Sequence, residues 1–564
     1  MKLKIKNESI IVILMLAIVT WIAHFQHFNE LGLYEDDYNV IMSTMEMQFP
    51  EFSALIKKTV LTFFQGRVVG FLILYSTAFI SGHFIGLKLM YLFVYAFALT
   101  NNILFYFFAK RIWDQRSFVV FSTLAFTLFP ADTTRAYLTH IHVLPAFTFL
   151  LIAFLCYFAD KKILSYIFAA ASLLCYETIF PLFITAPLFN NQWRKELLGK
   201  FLKHIAVIVG IFSGAAIIRK FVGESRVSDL DILGTISFSI NQMITGPRIS
   251  LWMFIYRPME TIKLLEGKLL IVILVIFIAL TWVFFKLKLG QTQNNRSWSL
   301  FRKLSILGMT LLLLAYPLTL TRFATSIKGR DSRVHTAAAL GAAIVVGLIC
   351  YLIVDILRNN RLKNVGLTIL ALFFALLIAF GLTVQYDNLI SWKQQQAFWS
   401  DVIKEAPDLN EGTVILVDAP DLAWGKQLNP FDWSLPSILT QLYNFPPEWN
   451  WHKRPELYKL KPRTWKETIG PDGKLKLNND SGLVFFYYTW EPTRSLDTNQ
   501  VILLQQKDGR IVRQTDPITI GNRQFQFKPR TEPTVQSFSK GLLYDYLIKS
   551  PQDSSSKYIV PERP

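Results

Sequence analysis

Cysteine is scarce: three in 564 residues, Cys156, Cys175 and Cys350, each inside an apolar run. No disulfide framework and no metal-ligand spacing can be built from them. Charge is also sparse, at 17% of residues against 52% hydrophobic. That balance excludes an ordinary soluble chain, a disordered chain and a collagen-like chain. The sequence shows no internal repeat and no glycine-rich nucleotide loop between its apolar runs. What it has in quantity is aromatic side chains, with 47 Phe and 14 Trp. These suit a lipid-facing protein with aromatic side chains at the membrane interfaces.

The formal charge of +18 is unevenly placed. Residues 1–385 hold 36 Lys+Arg against 19 Asp+Glu, and residues 386–564 hold 22 against 21. The hydrophobic part carries nearly all of the excess, so nucleic acid is not the reason for the basic balance. Basic loops beside membrane spans, or anionic lipid ligands, explain it better.

A membrane span needs roughly 20 apolar residues. Candidate spans lie near 10–28, 85–109, 117–131, 142–159, 162–176, 178–191, 201–219, 267–287, 303–321, 336–357 and 364–385. The first has a basic start but a poor cleavage site at Ile22-Ala23-His24, so it reads as an uncleaved anchor. The turns Lys110-Arg111, Lys161-Lys162, Arg194-Lys195, Arg302-Lys303 and Arg358/Arg361/Lys363 are basic, as are Lys2, Lys4 and Lys6. The positive-inside rule puts all of these in the cytoplasm, provided the apolar stretch 67–82 lies at the interface and does not cross. The expectation is a polytopic α-helical membrane protein of about eleven spans, N-terminus inside and C-terminus outside. These features fit a bacterial inner membrane, and an endoplasmic reticulum membrane would give the same topology.

Residues 386–564 read as a separate extracytoplasmic domain, α/β or mainly β. Thr413–Val417, Gly482–Tyr488 and Val501–Gln506 have strand composition, and Asp508-Gly509 before Arg510–Gln514 signals a hairpin. The domain division is therefore 1–385 and 386–564.

The unusual residues fall in the outward loops, where a scaffold can position them for function. Tyr34-Glu35-Asp36-Asp37-Tyr38 holds three adjacent carboxylates. They coexist if they are solvated, if they bind a cation, or if one has a raised pKa suited to a general base. Phe52–Phe64, with Lys57 and Lys58, reads as a surface helix followed by Gly66-Arg67. The 132–142 loop offers Arg135, His140 and His142. Glu177 interrupts two apolar runs, where a carboxylate is costly unless it is paired or at the surface. Lys328, Arg330 and Arg333 make a dense cation cluster on the face where the positive-inside rule disfavours one. Guanidinium forks match phosphate oxygens, so an anion ligand is one reason for this exception, and snorkelling to lipid head groups is the other.

Three of these features together resemble the GT-C superfamily of membrane glycosyltransferases, the group of the protein mannosyltransferases and aminoarabinose transferases. They are the acidic motif Glu35-Asp36-Asp37-Tyr38 after the first span, the surface helices 52–82 with Gly66-Arg67, and the basic turn Lys110-Arg111. Tyr176-Glu177 and a C-terminal outer domain are similar too. The resemblance covers residues 8–385. It implies transfer of a sugar from a polyprenyl-phosphate carrier to a protein, lipid or glycan acceptor on the outer face. It makes Asp36 or Asp37 the base, with Glu35 a third candidate. Arg330, Arg333 and Lys328 would hold the carrier phosphate, and Arg67, Arg135, His140 and Glu177 would line the cavity. Some members use a divalent cation such as Mg or Mn, which the acidic cluster would hold. Two other classes remain open: a transporter or flippase of lipid-linked sugar, and a non-catalytic membrane scaffold.

Overall fold

The computed structural model describes residues 7–190, 193, 195–223, 232–264, 267–291, 298–319, 323–357, 359–419, 435–449, 453–460, 474–478, 493–520 and 522–548. Lys2, Lys4, Lys6, Arg194, Thr321, Arg322, Arg358 and the strand expected at Gly482–Tyr488 lie outside the described residues. The chain forms two compact units. One comprises Met1–Asn29 and Gln48–Tyr386, and the other Glu30–Met47 and Asp387–Pro564.

The first unit is helical. Among the described residues, six helices are long and apolar enough to cross a membrane: Leu87–Ile112, Leu138–Phe158, Glu196–Phe221, Leu269–Lys286, Gly329–Ile356 and Asn360–Glu405. Glu8–His24, Val68–Gly82, Arg116–Thr127, Lys162–Leu173 and Phe180–Phe189 are apolar but shorter. Ile271, Val275, Ile278 and Trp282 stand exposed along one helix, and Leu198, Leu202, Val209 and Ile217 along another. A contiguous outward apolar surface of this kind suits lipid contact.

Small residues allow the close helix crossings, a feature common where membrane helices pack. A Cβ built on Gly341 would lie 2.6 Å from Leu312 N and 2.7 Å from Gly308 O. One on Gly347 would lie 2.4 Å from Ser122 Cβ, and one on Gly381 2.3 Å from Ala23 O.

Several elements differ in extent from the sequence expectation. A helix of 31 residues, Ile232–Ile262, occupies a stretch where no span was expected. Pro247 and Pro258 lie inside it and break the hydropathy run that would have marked it. The final helix, Asn360–Glu405, runs well past residue 385 into polar sequence. The amphipathic segment is a helix from Phe49 to Leu61, with Pro50 in its first turn and Glu51 accepting the Gln48 N–H.

The second unit has a four-stranded sheet. Its described strands are β1 (Val414–Asp418), β2 (Tyr443–Asn444), β3 (Glu456–Lys459), β4 (Lys474–Asn478), β5 (Thr493–Asp497), β6 (Val501–Lys507), β7 (Arg510–Arg513), β8 (Ile518–Ile520), β9 (Arg523–Phe525) and β10 (Ser539–Lys540). The four-stranded sheet has the order β3-β1-β6-β7. β1 runs parallel to both β3 and β6, and β6 and β7 form an antiparallel hairpin. Asp508 and Gly509 both have positive φ, 51° and 72°, as a two-residue hairpin turn requires. Arg513, the last residue of β7, forms a buried bidentate pair with Asp408. Burial pushes the Asp408 carboxyl up, but Arg513 and the Thr531 N–H and hydroxyl outweigh it, so the carboxyl titrates below its usual range.

Candidate functional site

The acidic triplet belongs to the second unit. Tyr34 fixes it there: its hydroxyl donates to Asn388 O at 3.0 Å, and its N–H donates to Asp37 Oδ2 at 3.1 Å. Tyr38 donates to Gln395 Oε1 at 2.6 Å. Gly32 lies against the Trp392 indole, where an added Cβ would fall 1.8 Å from the ring. Glu35 has a positive φ of 48°, which costs about 1–2 kcal/mol for a residue with a side chain. Glu35 and Asp37 are buried and Asp36 is half-buried. Among the described residues, no group of three or more His, Cys, Asp or Glu side chains is arranged to hold a metal ion.

The cationic residues belong to the first unit, where the structure brings several of them together. The chain turns tightly through Phe63, Gln65 and Gly66, all at positive φ, and releases Arg67 at the start of the Val68–Gly82 helix. Arg219 crosses this turn and donates to Gln65 O at 2.8 Å. Glycine suits position 66 because its φ is 67°, and a Cβ there would also push on Arg219, whose Nε would lie 2.3 Å away. One helical turn on, Gly70 packs against bare backbone. A Cβ there would lie 2.9 Å from both Cys175 O and His142 O. This close approach brings Arg67, His142 and Glu177 into one neighbourhood.

Arg67 grips Glu177 with both forks, Nε to Oε2 at 2.8 Å and Nη2 to Oε1 at 2.5 Å. Its guanidinium also lies over the Tyr176 ring, 4.5 Å from the centroid. Burial raises the Glu177 carboxyl, but the charge and hydrogen bonds of Arg67, helped by Arg219, bring it down to about 2. Glu177 is thus a paired anion that holds Arg67, and is not poised as a base.

His142 stacks on Phe71, with centroids 5.5 Å apart and planes 8° apart, and meets Tyr176 edge-on. Its Nδ1 is bonded to Thr139 O. The charges of Arg67 and Arg333 both act on it, and those of Arg135 and Arg333 act on His140. His140 Nδ1 lies 2.5 Å from Thr134 Oγ1, which in turn donates to Asp132 Oδ1 at 2.5 Å. The second Asp132 oxygen accepts from Thr336 at 2.6 Å. Burial pushes Asp132 up, but His140, Arg135 and the two threonine hydroxyls outweigh it and hold the carboxyl below its usual range. Burial also draws Arg135 down, against the opposing charge of Asp132.

Where the sequence predicts an outer loop through His335 and a span from residue 336, Gly329–Ala338 is a ten-residue 3-10 helix. Such runs rarely exceed three or four residues, and residues three apart eclipse one another. The spacing therefore lines up Arg330, Arg333 and Thr336 on one ridge, with Thr336 tied to Asp132. It lines up Ser332 and His335 on another. Ser332 accepts the Thr133 N–H at 3.0 Å, and His335 Nδ1 meets Tyr316 Oη at 2.8 Å and Ser250 Oγ at 3.1 Å. Lys328 is exposed at the start of this helix. Among the described residues Arg333 has no ion-pair partner. Its Nε is buried without a hydrogen bond, as are Nε2 of His140 and of His142.

Of the residues proposed from the sequence, Arg67, Arg135, His140, Glu177 and Arg333 thus converge in the first unit, with Arg330 on the same ridge as Arg333. Glu35, Asp36 and Asp37 lie in the second unit. Asp132, Thr134, Arg219, Ser332 and Thr336 were not singled out. The polar density of 132–134 was visible, but its pairing with Thr336, 204 residues away, has no local signal. Compared with protein-family models, curated proteins and solved structures, the chain matches none.

Proposed function

We propose that this protein is an integral membrane glycosyltransferase of the GT-C type, with about eleven spans and its C-terminal region outside the cytoplasm. It moves a sugar from a polyprenyl-phosphate carrier to a protein, lipid or glycan acceptor. One observation carries the reading. Within a helical unit with membrane-length helices, Arg333 has no carboxylate partner among the described residues, while Glu177 is committed to Arg67 and Asp132 to its threonines. A half-buried guanidinium whose Nε is buried and unbonded calls for an anion, and a phosphate anchored by a lipid tail stays at the depth of such a site.

In the proposed reaction the acceptor oxygen bonds to the anomeric carbon as that carbon's bond to the phosphate oxygen breaks. The electron pair leaves with the phosphate, which Arg333, Arg330 and Lys328 stabilise as it gains charge. The acceptor's proton goes to a general base, a role for which the resemblance to GT-C enzymes offers Asp36 or Asp37. Asp36 is the more accessible, whereas Asp37 already accepts the Tyr34 N–H. No step is routed through a metal ion. The test is release of free polyprenyl phosphate from a panel of polyprenyl-phosphate sugars, with Asp36→Asn/Asp37→Asn as control. Carrier that binds but is never cleaved, even with acceptors supplied, would favour a lipid-linked sugar transporter.

A further inference from the structure

Three buried histidines in the first unit, His140, His142 and His335, are held through Nδ1 with Nε2 buried and unpartnered, and the charge of Arg333 acts on two of them, His140 and His142. His140 is 4% exposed and His142 5% exposed. Each ring is held through Nδ1, and each leaves Nε2 buried without a hydrogen-bond partner. The partners decide the tautomer. A backbone carbonyl only accepts, so His142 Nδ1 must carry the proton it gives to Thr139 O. Thr134 spends its own hydroxyl proton on Asp132, so His140 Nδ1 must donate to Thr134 Oγ1. In both neutral rings the bare Nε2 is therefore an acceptor. Beside them stands a bare donor, Arg333 Nε–H, whose charge acts on both rings.

A phosphate oxygen would satisfy Arg333 but would leave the two Nε2 acceptors unsatisfied. A hydroxylated ring satisfies both kinds of group, because each hydroxyl donates once and accepts as well. We infer that His140 and His142 are specificity residues that accept hydrogen bonds from hydroxyls of the sugar, beside the arginine that takes the phosphate. Phe71 and Tyr176 fix the His142 ring from face and edge, so the acceptor is pre-oriented. The Asp132–Thr134 chain does the same for His140. This inference rests on the glycosyl-transfer reading above.

The test compares binding of undecaprenyl phosphate with that of undecaprenyl-phosphate mannose, glucose and galactose. The full chain is held in lipid nanodiscs, as wild type, His142→Phe, His142→Gln, His140→Gln and Arg333→Ala. Thermal unfolding of each variant reports whether it is folded. Wild type should bind at least one sugar-linked carrier more tightly than the bare carrier. His142→Phe should lose about ten-fold of that preference, the worth of one hydrogen bond, while still binding bare carrier like wild type. His142→Gln keeps an acceptor oxygen and should retain part of the preference. Arg333→Ala should weaken the bare and sugar-linked carriers alike. The inference is overturned if His142→Phe and His142→Gln behave alike, or if the full preference survives in His142→Phe. It is overturned with the glycosyl-transfer reading intact if wild type binds every carrier equally yet cleaves a sugar-linked one. Both fall if wild type binds no carrier at all.

Discussion

Removing Arg67 exposes the energetics of the helical unit most directly. Arg67 holds the Glu177 carboxyl at about 2 where 4.5 is usual, which favours the charged form by about 3 kcal/mol. The two side chains are only 10% and 15% exposed, so solvent screens the pair little. Arg67→Ala leaves a desolvated carboxylate with only the charge of Arg219 near it. The expected loss is about 3–5 kcal/mol at neutral pH. Replacing both partners, as Arg67→Met with Glu177→Leu, removes the desolvated charge together with its attraction. The double variant should regain most of that loss, giving a coupling of about 3 kcal/mol. Unfolding by SDS in mixed micelles, run on wild type, both single variants and the double variant, measures it. The pH dependence checks the sign. In wild type the carboxyl is depressed, so its contribution is complete above pH 4.5 and fades as pH falls from 4.5 through about 2. In Arg67→Ala burial raises the carboxyl, so mild acid neutralises it and relieves the penalty. The gap between wild type and Arg67→Ala should be wider at pH 7.5 than at pH 4.5. A coupling below about 0.5 kcal/mol, or a gap unchanged with pH, would refute the reasoning.

Arg333→Ala should weaken polyprenyl-phosphate binding by about 10–100-fold without lowering thermal stability, the scale of one charge-assisted contact. Gly70→Ala should impair folding and binding together, because its Cβ would press on two carbonyl oxygens at 2.9 Å; wild-type yield and affinity would contradict this. In the second unit, Arg513→Met should cost about 3–5 kcal/mol by stranding buried Asp408, read as loss of the folded C-terminal region in limited proteolysis. Cysteine labelling at residue 75 tests whether 67–82 crosses, and labelling at 110 and 161 from outside the cell would overturn the expected topology.

The parts of this protein legible in its sequence are those fixed by local chemistry. Long apolar helices announce themselves by their hydrophobic length, and the Asp508-Gly509 turn by a dipeptide that tolerates positive φ. The basic cluster at 328–333 was visible because it departs from a charge rule. The Ile232–Ile262 helix was hidden because two prolines interrupt its pattern. The 3-10 form of Gly329–Ala338 was hidden because its cross-links, Ser332 to Thr133 and Thr336 to Asp132, join segments about 200 residues apart. The grouping of Glu30–Met47 with the C-terminal unit is of the same kind. It depends on Tyr34, Tyr38 and Gly32 meeting Asn388, Gln395 and Trp392, and no periodicity records such pairings.

The central claim is that the protein cleaves a polyprenyl-phosphate sugar. Purified protein in nanodiscs would be given a panel of such donors with candidate acceptors, and free polyprenyl phosphate would be quantified. The account predicts release from at least one donor by wild type, and none by Asp36→Asn/Asp37→Asn, whose carrier binding should be unchanged. Release by the variant at the wild-type rate, or donor bound by wild type and never cleaved, would contradict it.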